Sequence, residues 1–236
     1  MKALILDYNG VIVNDEPLHK EALRGVLAGA GLALTDDEYF TRYLGIADRD
    51  IVRDALKRHG PPPPAIDDEI DHLLSLKALA YRDLARRDLP EVPGASSFIL
   101  AAAERYPIAV ASGAIRVEVE DGLYRLGVRD AITAIVTIED VARGKPDPEI
   151  FLMARAAILR IAGTAGARHS LDPSEPARSF LVIEDAPAGL MGAAAAGMPA
   201  VGVATSRPRE DLTPAALVVD DLAGLTLEAL EAISAI

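Results

Sequence analysis

The stretch Ala3-Leu4-Ile5-Leu6-Asp7-Tyr8-Asn9-Gly10-Val11-Ile12-Val13 constrains the chain more than any other. Its apolar run is far shorter than the roughly 20 residues a membrane helix needs, and it lacks the alternation of a half-buried strand. It suits a central parallel strand covered on both faces. The run ends in a lone carboxylate followed closely by a glycine turn. Asp beside Gly is a common turn former, but ligands of open parallel sheets collect where strands end. Asp7 is therefore either a turn residue or an acid delivered to the sheet edge.

Three further signals follow in a fixed order. Val110-Ala111-Ser112-Gly113 puts a hydroxyl and a bare backbone at the end of a second apolar run. Gly144-Lys145-Pro146-Asp147-Pro148 sets a lysine just before a helix start, and Phe180-Leu181-Val182-Ile183-Glu184-Asp185 ends another apolar run in paired carboxylates.

Between the first and second of these runs the pattern is helical. Asp15-Glu16-Pro17 reads as a helix start, with acids at the positive end of the dipole and proline tolerated in the first turn. Leu18, Ala22 and Val26, with Leu23, Leu27 and Ala30, continue it. A second helix is predicted from Thr35-Asp36-Asp37 through Tyr39, Phe40 and Tyr43, ended by Gly45. A third spans 48 to 59, stopped by Gly60 and an extended connector of prolines at 61 to 64. A fourth runs from about Asp67 to Arg87, with Ile70, Leu73, Leu74, Tyr81 and Leu84 on one stripe.

Helices in succession without a strand do not extend a βαβ pattern, so they read as an inserted helical cap domain, residues 15–90. Hinges are expected near Val13 to Asp15 and Asp88 to Gly94. From Ala95 onward helix and strand alternate, with strands predicted at about 107–111, 134–137, 180–184, 199–204 and 217–219. The fold class is α/β: a doubly wound, Rossmann-like parallel-sheet core of residues 1–14 and 91–236 carrying the cap. The segment from Gly163 to Pro176 reads as a long surface loop with no assigned role.

The 236 residues suffice for one such core with an insertion. A formal net charge of -12 argues against nucleic acid or an anionic membrane as partner, since both are held by clustered Lys and Arg. A small anion remains possible where a metal and a few cations supply local positive charge. With no cysteine there are no disulfides or thiolate metal sites. The short N-terminal apolar run, broken by Asp7, does not read as a signal peptide, so cytoplasmic residence is the default. Oligomeric state is not readable, and a monomer is the default expectation.

The four motifs, with Asp15-Glu16-Pro17-Leu18-His19, Val92-Pro93-Gly94, Ala188-Gly189 and Ala196-Gly197-Met198-Pro199, make the chain resemble the haloacid dehalogenase-like superfamily. The closest branch is that of phosphatases and β-phosphoglucomutases, and the resemblance covers nearly the whole chain. It implies that Asp7 is a nucleophile forming an aspartyl phosphate, a role suited to an acid ionised at neutral pH. It implies that Glu184 and Asp185, with Asp7 and the Asn9 carbonyl, hold Mg²⁺, an ion that takes oxygen ligands of this kind. Lys145 would neutralise nucleophile and phosphoryl oxygens. Ser112 and the Gly113 amide would bind phosphate, and Lys77, four residues before Tyr81, would reach over the substrate. For Lys77 a snorkelling surface lysine is an equal alternative, as is a structural role for His19.

The resemblance implies a small phosphorylated metabolite, such as a sugar phosphate, as substrate. One departure stands out: phosphoryl-transferring members of the superfamily usually carry a second Asp, serving as acid and base, where this chain has Asn9. An amide cannot shuttle that proton, and such assistance is typically worth about 10² to 10⁴-fold. Three explanations stay open. They are a natural variant that uses a good leaving group, or a neighbour such as Asp15 or His19 for proton transfer; an engineered Asp-to-Asn change that traps an intermediate; and a protein that binds phosphorylated ligands without turnover.

Overall fold

The computed structural model describes every residue except 44, 45, 47, 59, 61–64, 165 and 234–236. Among the described residues six strands form one sheet: β1 (Ala3–Leu6), β2 (Ile108–Ser112), β3 (Ala134–Thr137), β4 (Phe180–Glu184), β5 (Ala200–Val203) and β6 (Leu217–Val219). Their order is β3-β2-β1-β4-β5-β6, and every neighbouring pair is parallel. The chain thus winds outward from β1 in one direction and then, through β4, in the other. This is a doubly wound α/β fold, whose topological switch point lies at the carboxyl ends of the central strands.

The chain divides into two compact units, one of residues 1–14 with 90–236 and one of residues 15–89. The first holds the sheet with helices α5 (Ala95–Ala103), α6 (Arg116–Arg125), α7 (Glu149–Ala162), α8 (Pro187–Ala195) and α9 (Leu227–Ile233). The second holds α1 (Glu16–Gly29), the short α2 (Asp36–Glu38), α3 (Asp48–Arg58) and α4 (Ile66–Arg87).

The missing alternation in β1 has a simple cause. All four of its side chains are fully buried, Ala3 and Ile5 packing with Phe151, Ala154 and Ile158 of α7 and Leu190 of α8. Leu4 and Leu6 point to the opposite face, as strand geometry requires. Each buried Leu or Ile of this kind contributes about 1.5 to 3 kcal/mol through apolar transfer.

The helical unit has its own apolar centre. Leu23 and Leu27 of α1, Ile51 and Val52 of α3, and Ile70 and Leu73 of α4 pack together with Tyr39 and Tyr43. Thr35 and Glu38 form a reciprocal capping box at the start of α2. The chain then runs into one π-helical turn, Tyr39–Tyr43, in place of the continuous α-helix expected. The predicted stop at Gly45, residue 59 of the third helix and the connector at 61–64 lie outside the described residues. Asp15 stands at the N-cap of α1, yet its side chain makes no cap bond.

The boundaries move slightly elsewhere. β2 is shifted by one residue, so Ser112 is its last member and not the first of the turn. Gly94, four residues after the chain re-enters the first unit at Pro90, has φ +82, and a Cβ there would overlap the backbone of Leu222 and Ala223. Leu222 also donates to the Pro93 carbonyl at 3.0 Å. Replacing Gly94 by Ala therefore meets both left-handed strain and a backbone clash. The expected cost is roughly 2 to 4 kcal/mol in urea unfolding; a loss under about 0.5 kcal/mol, the scale of an ordinary surface change, would contradict this account.

Candidate active site

Asp7 follows β1 directly, and its amide continues the ladder by donating to Ile183 at 2.9 Å. The chain then turns back: the Tyr8 carbonyl accepts from Ile12 at 2.8 Å and Val13 at 3.1 Å, and Gly10 donates to Val13 at 2.7 Å. Gly10 has φ +72, and a Cβ there would occupy the space of the Asp185 carboxylate and the Ser206 hydroxyl. Only glycine lets the turn pass so close to that acid.

Glu184 closes β4, and both its oxygens are engaged. Oε2 accepts from the amides of Asp185 at 2.6 Å and Ala186 at 3.0 Å, while Oε1 lies 2.6 Å from Lys145 Nζ. Gly189 on α8 gives that side chain room, because a Cβ there would overlap the Glu184 carboxylate. Lys145 also lies 2.9 Å from Asp7 Oδ1 and sits over the Phe151 ring, 5.3 Å from its centroid. Three segments far apart in sequence thus meet around one ammonium group.

The charges do not balance. Asp7, Glu184 and Asp185 are buried, and ligand atoms from all three lie within 4.8 Å of one another. One lysine against three carboxylates leaves an excess of two negative charges. Burial pushes the Asp7 carboxyl up to about 6, with Lys145 pulling it down and Glu184 pushing it up. Burial likewise raises Asp185 well above the usual carboxylate range, helped by Glu184 and Asp7 and opposed by a hydrogen bond from Ser206. Burial disfavours the Lys145 charge, but Asp7 and Glu184 outweigh it and raise its pKa. The Lys145 ammonium is the neighbour of the buried Asp7 Oδ1, at 2.9 Å. A divalent oxygen-seeking cation fits such a set, because it would supply the two missing positive charges.

Ser112 is fully buried at the end of β2. Its hydroxyl lies 3.4 Å from Asn9 Oδ1 and accepts from the Ala114 amide at 3.1 Å. Asn9, in the turn after β1, and Ser112, the last residue of β2, are thereby brought together, with Gly113 next in the chain. Two residues went unnoticed in the sequence. Thr205 donates a short hydrogen bond to the Gly10 carbonyl, and Ser206 donates to Asp185. Both follow an apolar strand, the same signal that marked Ser112.

Lys77 lies in the helical unit and is buried. Its ammonium is 2.5 Å from His19 Nδ1 and 2.8 Å from Asp48. An ammonium can only donate, so Nδ1 accepts and Nε2 carries the hydrogen toward Asp15, at 3.2 Å. Tyr81 donates to the same Asp15 oxygen at 2.5 Å and stacks on the His19 ring, centroids 4.2 Å apart. A reach by Lys77 to a substrate would break both of its pairs.

Fold and cluster define an α/β protein with an acid-rich site at its switch point. The chain belongs to the haloacid dehalogenase-like hydrolases, whose family model matches residues 1–197. It is 31% identical to the β-phosphoglucomutase of Bacillus subtilis (strain 168), over 98% of this chain and 94% of that protein. It is 28% identical to the validoxylamine A 7'-phosphate phosphatase of Streptomyces hygroscopicus subsp. limoneus, over 94% of each. The crystal structure of β-phosphoglucomutase from Clostridium difficile superposes with a TM-score of 0.75 at 24% identity, covering 100% of this chain and 97% of that one.

The Asp7 shift has a definite sign. Its folded value of about 6 exceeds the ordinary 3.8, so between about pH 4 and pH 6 the folded state keeps a proton that the unfolded state has lost. Stability from this group is present at acid pH and falls as pH rises, by about 3 kcal/mol in all. In chelator, the stability of Asp7→Asn relative to wild type should grow across this window, and Mg²⁺ should narrow the gap by stabilising wild type. Thermal denaturation at a series of pH values measures it; a gap that shrinks with rising pH contradicts the charge account.

Proposed function

We propose that this chain is a Mg²⁺-dependent phosphohydrolase of a small phosphorylated metabolite, a sugar phosphate in the first instance, working through an aspartyl phosphate on Asp7. The observation that carries this reading is the convergence of Asp7, Lys145, Glu184 and Asp185 on one buried point. The phosphatase and phosphomutase names of its relatives support the substrate class.

In this reading an Asp7 oxygen attacks phosphorus, the bond from phosphorus to the sugar oxygen breaks, and water later cleaves the acyl phosphate to inorganic phosphate. Asp7 must be ionised to attack, and the Lys145 ammonium beside it favours that form. Asp7, Glu184, Asp185 and the Asn9 carbonyl would hold the cation, which when bound neutralises charge on the phosphoryl oxygens. Ser112 and the Gly113 amide would donate to those oxygens. Glu184 would also hold Lys145 and the turn after β4 in place through its two oxygens.

The unit of residues 15–89 is assigned the role of cap, its Lys77 fixing His19 and not touching substrate. Among the described residues no helix is long and apolar enough to cross a membrane, and cytoplasmic residence fits the absence of cysteine.

A phosphomutase is the second reading, favoured by the near full-length match to the Bacillus enzyme. It is the weaker one, since a mutase must protonate and deprotonate sugar hydroxyls at the position where this chain has Asn9. A panel of phosphate esters with Mg²⁺ tests the proposal. Slow phosphate release is expected from wild type, about 10² to 10⁴-fold faster release from Asn9→Asp, and none from Asp7→Ala. No release from either wild type or Asn9→Asp would leave a non-catalytic binding protein.

A further inference from the structure

The amino-terminal edge of the sheet, opposite the acid cluster, carries two adjoining cavities. One, of about 200 Å³, has a mainly apolar wall built from Ala103, Pro107, Ile132, Ile161, Ala162 and Ala167, with the single carboxylate Asp130. The other, of about 380 Å³, is lined by the cations Lys2, Arg105 and Arg168 and by no carboxylate. Pro107, Arg168 and His169 belong to both. In a chain of net charge -12, this hollow is one whose own wall carries cations and no acid.

The shared wall is held in place. His169 Nε2 lies 2.9 Å from the Ala103 carbonyl and so donates to it. Arg168 is fixed by Glu104 and Arg105 by Glu231, each at 2.6 Å. Arg105 also lies 4.0 Å from Glu228. One carboxylate satisfies at most two of a guanidinium's five donors, so Arg168, with its one partner, retains donors for a second anion, and Arg105 retains at least one. Lys2 makes no ion pair among the described residues. Arg168 and His169 belong to the long connection between α7 and β4, the one segment that the phosphatase reading leaves without a role.

We propose that these two cavities form a second binding site for a small organic anion with a compact apolar body. The head group would lie among Lys2, Arg105 and Arg168, and the body would fill the hollow against Ile132 and Ala162. A cavity of roughly 150 Å³ accepts benzene, so the body is one ring or a short branched chain. Lys2 precedes β1 and Asp7 follows it, which places the site roughly 15 Å from the acid cluster at the rise of a strand. The inference does not depend on the phosphatase reading.

A ¹⁹F NMR titration of the full chain with 4-fluorobenzoate tests it. Saturable binding is expected, unchanged in Asp7→Ala and weakened at least about tenfold in the Lys2→Ala, Arg168→Ala double variant. Ala167→Trp, which fills the apolar hollow, should abolish it; should that variant not fold, the double variant decides. The neutral 4-fluorobenzyl alcohol should bind about tenfold more weakly than the benzoate. No saturation up to about 10 mM, binding indifferent to the double variant, or loss in Asp7→Ala overturns the proposal. Competition by inorganic phosphate as strong as by benzoate overturns the two-part site and leaves only an anion patch.

Discussion

An excess of negative charge, buried at the point where the sheet reverses its winding, is the constraint to which the rest of the first unit answers. Removing one carboxylate from water costs several kcal/mol even after relaxation, and here three are gathered around a single lysine. The fold bears this locally. Two backbone amides hold one side of Glu184, Lys145 holds the other, and Ser206 supports Asp185. What these groups do not supply is a pair of positive charges, and a doubly charged cation would fit that deficit.

The same constraint accounts for the glycines around it. Gly10 and Gly189 lie on different elements, yet at each a Cβ would enter the volume of a carboxylate of the cluster. Their absent side chains are part of the site's shape, and they let main chain and acid approach closely enough for the charges to be concentrated. Phe151 underlies Lys145 from the apolar side, so the helix that covers β1 also buttresses the cation.

Most of the sheet was legible because burial on both faces writes itself as an unbroken apolar run, as in Ala3–Leu6 and Phe180–Glu184. The principal acids and Lys145 were legible because each stands at the border of such a run or of a helix. What could not be read depends on partners distant in sequence. Asp15 has the residue type and position of an N-cap, but Tyr81, 66 residues away, takes its oxygen. Lys77 has Asp48 and His19 beside it, neighbours that its spacing on the helix does not reveal. The π-helical turn at Tyr39–Tyr43 is too short for an apolar period to distinguish it from an α-helix. Thr205 and Ser206 follow an apolar strand as Ser112 does, but their partners, the Gly10 carbonyl and Asp185, lie far away in sequence.

Asn9 can be understood in the same electrostatic terms. It adjoins the turn that carries Asp7, and Ser112 lies 3.4 Å from its side-chain oxygen. An aspartate at this position would add a further negative charge to a cluster already two short of neutrality, and burial and repulsion have already raised Asp7 and Asp185. The amide keeps an acceptor for the Ser112 hydroxyl and a backbone carbonyl for a cation while adding no charge. It therefore relieves the metal-free fold of part of its electrostatic burden, at a position of the kind where stability and activity pull in opposite directions.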